Sequence, residues 1–273
     1  MNDHRDTGTT TESMFVEDRG QGLPVLLLHG FPLDHRMWTY QTELLAQQYR
    51  VIVPDLPGMG RSGVPGELMS MERYADDVLA LLDRLGVQRA VLGGFSMGGY
   101  LAFALLRKAP ERFVGLLLAN TRAEADAAAG RKGRMQMAAA LYEHGAAAAR
   151  DAMLPKLLAE STRRERPELA EELAGIMGGM PAEGLVQASL AMAFRREAVS
   201  LLGELTLPTL VVAGEHDAIA PPDEMRAMAE RIRGAAFHVV AGAAHLAPLE
   251  QPEAFNRLLA PFVAGIAATV SSP

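Results

Sequence analysis

The chain has 273 residues, 49% of them hydrophobic, with a mean hydropathy of +0.07, which suits one large α/β domain or a core domain carrying an insertion. A net charge of −7 and a pI near 5.5, with no basic run interleaved with aromatics, argue against nucleic acid or an anionic membrane surface as the partner. Zero cysteines exclude disulfides, thiolate catalysis and zinc sites built on cysteine.

Residues 1–13 are polar and lack an apolar h-region, so a disordered leader is expected, not a Sec signal, and the expected location is cytoplasmic. Phe15-Val16-Glu17 before Gly20-Gln21-Gly22 reads as an early strand and hairpin turn. Pro24–Leu28 and Val51–Val53 are continuous apolar runs, the pattern of strands covered on both faces. Met37 to Gln48 is helical in composition. Tyr74, Val78, Leu81, Leu82 and Leu85 recur at helical spacing, with Gly86 as the stop. Further strands are expected at Arg89–Leu92, Phe113–Ala119, Thr209–Ala213 and Phe237–Ala241, and helices at 97–109, 222–233 and 253–267. This alternation implies a mostly parallel central sheet with helices on both faces.

The alternation breaks between 121 and 204, a stretch rich in Ala, Met, Glu and Arg, divided into several helices by Pro155, Pro167 and Pro181. It is too long for a loop and reads as a helical cap inserted between a core of residues 14–120 and 205–273. Its Met135, Met137, Met153, Met177, Met180, Met192 and Phe194 offer lining for a flexible apolar pocket, though methionine also serves as plain packing.

Gly93-Gly94-Phe95-Ser96-Met97-Gly98-Gly99 lies where a buried strand should pass into a helix. A serine with glycine at both second neighbours in that context marks a nucleophile on a sharp turn, where larger side chains at 94 and 98 would collide. A serine hydroxyl needs a histidine base and an orienting acid. His245, in Gly242-Ala243-Ala244-His245, follows the last strand run and so falls at the carboxyl edge of the sheet. His4, His35, His144, His216 and His238 read as structural or solvated, and His29 as a buried support for its loop. Asp217, after Leu210–His216, completes the order Ser, Asp, His; Glu215, Glu124 and Asp126 are its rivals. The oxyanion donors are expected to be the backbone N–H groups of Met97 and Phe31. Phe31 and Leu246, with Met135, Met153, Met177 and Met192, are the expected pocket residues.

Gly58-Met59-Gly60-Arg61-Ser62-Gly63 formally fits a dinucleotide fingerprint, but Pro54, Pro57 and Val64-Pro65-Gly66 deny it the strand-to-helix turn. No metal-ligand spacing stands out, and neither cofactor nor metal is expected.

Over about residues 15 to 267 the chain resembles the α/β-hydrolase superfamily, in particular its capped serine esterases and lactonases. The marks are His29-Gly30-Phe31-Pro32-Leu33-Asp34, Asp55-Leu56-Pro57-Gly58-Met59-Gly60-Arg61-Ser62, the turn at Gly94–Gly98, Gly214-Glu215-His216-Asp217 and Gly242–His245. The resemblance implies the α/β-hydrolase fold and hydrolysis of a short or medium acyl ester, with enol-lactonase or cofactor-free haloperoxidase and perhydrolase activity as alternatives. Dehalogenases and epoxide hydrolases of the family carry aspartate at the position of Ser96. A hydrolase-fold protein that binds a small signal molecule or a partner protein and turns it over slowly or never is the rival from another class. The expected partner is a small-molecule ester or lactone, with self-association left open.

Overall fold

The computed structural model describes residues 14–270, so the expected leader at 1–13 lies outside the described residues. Among the described residues, seven strands form one sheet in the order β1-β3-β2-β4-β5-β6-β7. They are β1 (Val16–Arg19), β2 (Pro24–Leu28), β3 (Arg50–Pro54), β4 (Ala90–Phe95), β5 (Phe113–Ala119), β6 (Thr209–Gly214) and β7 (Ala236–Val240). Only β1 runs antiparallel; every other pairing is parallel. β4, β5 and β6 are buried at every residue, which is why their sequences run apolar without alternation.

The hairpin expected at Gly20–Gly22 does not form as a pair with the next strand. β1 instead pairs with β3, Val16 opposite Pro54, because β2 already has β3 on one side and β4 on the other. The helix expected from Met37 is a 3₁₀ turn over His35–Trp38 followed by α1 (Thr39–Leu45). Asp34 starts it by accepting the Arg36 N–H at 3.0 Å, a side-chain cap the composition did not single out. α2 (Met71–Arg84) buries Tyr74, Val78, Leu81 and Leu82 on one face and is capped by Ser70. α3 (Met97–Lys108) follows β4 directly.

No strand lies between β5 and β6. That stretch holds α4 (Ala128–His144), α5 (Ala147–Leu157), α6 (Glu160–Glu165), α7 (Pro167–Gly178), α8 (Ala182–Ala193) and α9 (Val199–Leu202). Pro167 opens α7 and Pro181 precedes α8, as helix starts favour, but Pro155 breaks nothing: it sits in the last turn of α5. This helical region rests on the core where Gly184 of α8 meets Gly58. A Cβ built on Gly184 would lie 1.8 Å from the Gly58 carbonyl oxygen. α10 (Pro222–Glu230), α11 (Ala247–Glu250) and α12 (Pro252–Val270) complete the chain, the last burying Phe255, Leu259, Val263 and Ile266. No helix among the described residues is long and apolar enough to cross a membrane.

Candidate active site

The sheet changes winding direction around β2. The chain goes from β2 to β3 on one side, then crosses to β4 on the other, so the loops after β2 and β4 face a common crevice. Ser96 stands in that crevice between β4 and α3, with φ 51 and ψ −113. A non-glycine residue in that region costs on the order of 1–3 kcal/mol and persists only where its surroundings hold it. Here they do: Ser96 N–H donates to Ala119 O at 3.0 Å, and its carbonyl accepts the Thr121 hydroxyl at 2.7 Å.

The flanking glycines are required by close approach. A Cβ on Gly94 would sit 2.4 Å from Gly98 O, and one on Gly98 would sit 2.4 Å from Leu28 O. The loop after β2 is pressed just as closely, since a Cβ on Gly30 would lie 2.7 Å from the Phe95 ring and 3.0 Å from Ser96 Cβ.

Ser96, His245 and Asp217 are brought into one hydrogen-bonded line. The Ser96 Oγ lies 3.0 Å from His245 Nε2, and His245 Nδ1 lies 2.8 Å from Asp217 Oδ2. Ser96 retains 9% exposure while His245 and Asp217 have 1% and 3%, so the serine is the member a solute can reach. The Phe95 ring packs on the imidazole with centroids 5.0 Å apart. Asp217 Oδ1 accepts the N–H groups of Ile219 and Ala220 at 2.8 and 3.0 Å, and Oδ2 accepts the Asn120 amide at 2.8 Å. Burial works to raise the Asp217 pKa, but the charge and hydrogen bond of His245, with the hydrogen bonds from Asn120 and Ala220, leave it below the ordinary carboxylate range.

Asn120 is a site residue that no sequence motif singled out. It directly follows β5 with φ 47°, and its amide also reaches Ala244 O at 3.3 Å. A polar residue capable of the left-handed conformation at a strand tip was the signal available.

Among the described residues, no protein acceptor takes the N–H of Phe31 or of Met97. Met97 opens the twelve-residue α3, whose N-terminal end presents positive partial charge to the serine. His29 supports the Phe31 loop from beneath: its Nδ1 donates to Gly30 O at 3.0 Å and its Nε2 accepts the Leu56 N–H at 2.9 Å. Burial depresses its pKa, in keeping with that neutral, fully bonded ring.

Of the expected pocket residues, Phe31, Met177, Met192 and Leu246 are buried and Met153 is partly so. Met135 is a correction. It is 45% exposed on α4, and Phe194 is 70% exposed, so neither walls a buried pocket. α4 is weakly amphipathic and buries only Ala138 and Leu141, which leaves Met135 facing water while Met137 is partly buried. Met180 is buried and accepts the Gly60 N–H on its sulfur at 3.1 Å.

The rival acids are committed elsewhere or exposed. Asp126 pairs with Arg195 at 2.9 Å and Arg134 at 3.1 Å, and Glu215 accepts the Gly242 N–H at 2.8 Å. His144 and His216 are exposed beside Glu143 and Glu215, and His238 lies on an exposed stretch of β7. The Gly58–Gly63 run forms turns and reaches no helix before Met71.

One group of side chains among the described residues has metal-ligand proximity: Asp34, His35 and Asp55, with ligand atoms within 4.8 Å of one another. Its lone pairs are already spoken for. Asp55 Oδ1 accepts the His35 N–H and Nδ1–H at 2.8 and 2.7 Å, Asp55 Oδ2 accepts the Arg61 N–H at 2.8 Å, and Asp34 is held by Arg36 at 2.6 Å. This cluster braces the turn after β3.

Comparison with known proteins agrees with this fold. A family model described as the alpha/beta hydrolase fold matches residues 24–252. A thermophilic esterase from Thermogutta terrifontis, solved with malate bound, superposes with a TM-score of 0.91 at 44% identity, over 93% of this chain and 94% of that one. The AB hydrolase superfamily protein YisY of Bacillus subtilis is 32% identical over 92% of this chain and 95% of its own length. The 3-oxoadipate enol-lactonase 1 of Acinetobacter baylyi is 30% identical over 85% of each.

Proposed function

The chain belongs to the α/β-hydrolase family, and from that premise we propose that it is a serine hydrolase of carboxylic esters acting through an acyl-enzyme. The observation that carries this is the unbroken line Ser96 Oγ to His245 Nε2 (3.0 Å) and His245 Nδ1 to Asp217 Oδ2 (2.8 Å). Ser96 attacks the ester carbonyl while His245 Nε2 takes its proton; Asp217 holds the imidazole and offsets its charge. The carbonyl oxygen becomes an oxyanion received by the N–H groups of Phe31 and Met97. As the tetrahedral intermediate collapses, the ester C–O bond breaks and the alcohol leaves with the proton from His245. Water, deprotonated by the same imidazole, then attacks the acyl carbon and returns the carboxylic acid and free Ser96.

Residues 121–204 are the cap over this site, and its small and Met-rich side chains suit a short or medium acyl group. Similarity to a named enol-lactonase favours a second substrate of the same chemistry, an enol lactone, in which the leaving alcohol stays tethered to the acid. Parallel assays of p-nitrophenyl acetate to decanoate and of a panel of lactones test this reading. Turnover of short esters or lactones that disappears in Ser96→Ala supports it, and an inert wild type, or an active Ser96→Ala, refutes it.

A further inference from the structure

Of the buried carboxylates that the mechanism does not use, one reaches the loop that carries His245. Glu250, in α11, is 3% exposed, and its two oxygens face different parts of the molecule. Oε1 accepts the N–H of Ala244, the residue before His245, at 2.7 Å. Oε2 accepts the Ala159 N–H at 2.7 Å and the Thr162 hydroxyl at 2.8 Å, both from the α5–α6 segment of the cap. On the other side of the histidine, the Leu246 N–H donates to Leu157 O at 3.0 Å. Arg166 of the cap donates to the carbonyls of Leu249 and Glu250 at 3.1 and 3.2 Å. Thus both backbone N–H groups flanking His245 end on cap residues 157–162, one directly and one through the Glu250 carboxylate.

We propose that Glu250 is a positioning residue that ties the His245 loop to cap residues 157–162, so that the seating of the cap sets the placement of the imidazole against Ser96. The inference rests on the serine-hydrolase reading above. Its chemistry demands a carboxylate. Backbone N–H donors approach from both sides, and only an ionised carboxyl accepts on both oxygens; a carboxamide accepts on one and turns an NH₂ against the other donor. Burial pushes Glu250 above the ordinary carboxylate range, against the pull of its three hydrogen bonds and the charge of His245.

The test is the kinetics of fluorophosphonate labelling at Ser96, resolved into kinact and KI, in wild type, Glu250→Gln, Thr162→Val and the double variant. Folding is checked by circular dichroism. Glu250→Gln is expected to lower kinact by about tenfold to hundredfold, and Thr162→Val by about threefold to tenfold, with KI within about twofold. The double variant should label no more than about twofold slower than Glu250→Gln, because both changes break one tether. Unchanged kinact in the single variants, a loss confined to KI, or fully multiplicative effects would overturn the proposal. If Glu250→Gln does not fold, Thr162→Val decides alone, and an unchanged kinact there overturns it. Wild type that does not label at Ser96 removes the serine reading itself, and this inference with it.

Discussion

The Asn120 side-chain amide donates to Asp217 Oδ2 at 2.8 Å, onto the same oxygen that receives the His245 Nδ1–H. The tip of β5 therefore completes the hydrogen-bond shell of an acid carried after β6, and all four bonds on Asp217 favour its charged form. Asn120→Ala removes one bond to a charged acceptor, which corresponds to about 1.5–3 kcal/mol. The expected outcome is a kcat/KM for a short ester lowered by about tenfold to hundredfold, with the fold retained. A rate equal to wild type would show that Asp217 is held well enough without β5.

Gly98→Ala tests the turn itself. Its new methyl would lie 2.4 Å from Leu28 O and 2.8 Å from His29 O, so the loop carrying Phe31 must shift. Overpacking of this kind costs about 1–3 kcal/mol of stability. Displacing one oxyanion donor lowers kcat by about a hundredfold or more. Thermal unfolding beside ester turnover measures both, and an active, fully stable variant would contradict the close packing.

Asp126 makes a different kind of contribution, within the helical region between β5 and β6. Arg195 is 6% exposed, lies 4.0 Å over the Tyr100 ring and pairs with Asp126 at 2.9 Å. Burial works to raise the Asp126 pKa, but Arg195 and Arg134 leave it below the usual range. Asp126→Ala strands a buried guanidinium, and unfolding in urea should show a loss of about 3 kcal/mol. A loss under about 0.5 kcal/mol would mean that the carbonyls of Met192 and Glu124 suffice for Arg195.

These sites differ in how far the sequence disclosed them. The parallel core was legible because β4, β5 and β6 are buried on both faces and so run apolar, and Ser96, Asp217 and His245 stood at the ends of such runs. The early strand forms as β1, but its hairpin pairing does not, because pairing depends on which edges are free, a property of the whole sheet; the edge open to it is that of β3. Met135 was misjudged because α4 has little amphipathic contrast to say which side faces water. Asn120 and Glu250 act through hydrogen bonds spanning 97 and 91 residues, which no local pattern records.

Glu250 also makes a pH prediction. A carboxyl held above its unfolded value contributes stability below that value and loses it as pH climbs through the folded one. Glu250 is raised by burial, so wild type should lose stability relative to the non-titrating Glu250→Gln as pH rises from 4 towards 7. Paired thermal unfolding curves across that range measure the difference. Parallel profiles, or a gap that opens in favour of wild type, would contradict the sign.

Whether Ser96 is the nucleophile is decided by intact-protein mass spectrometry after fluorophosphonate treatment. Wild type should gain the mass of one phosphonyl group, mapped to the peptide containing Ser96, and lose ester hydrolysis in step. Ser96→Ala should gain nothing and hydrolyse nothing. Labelling elsewhere, or hydrolysis that survives in Ser96→Ala, would contradict the account.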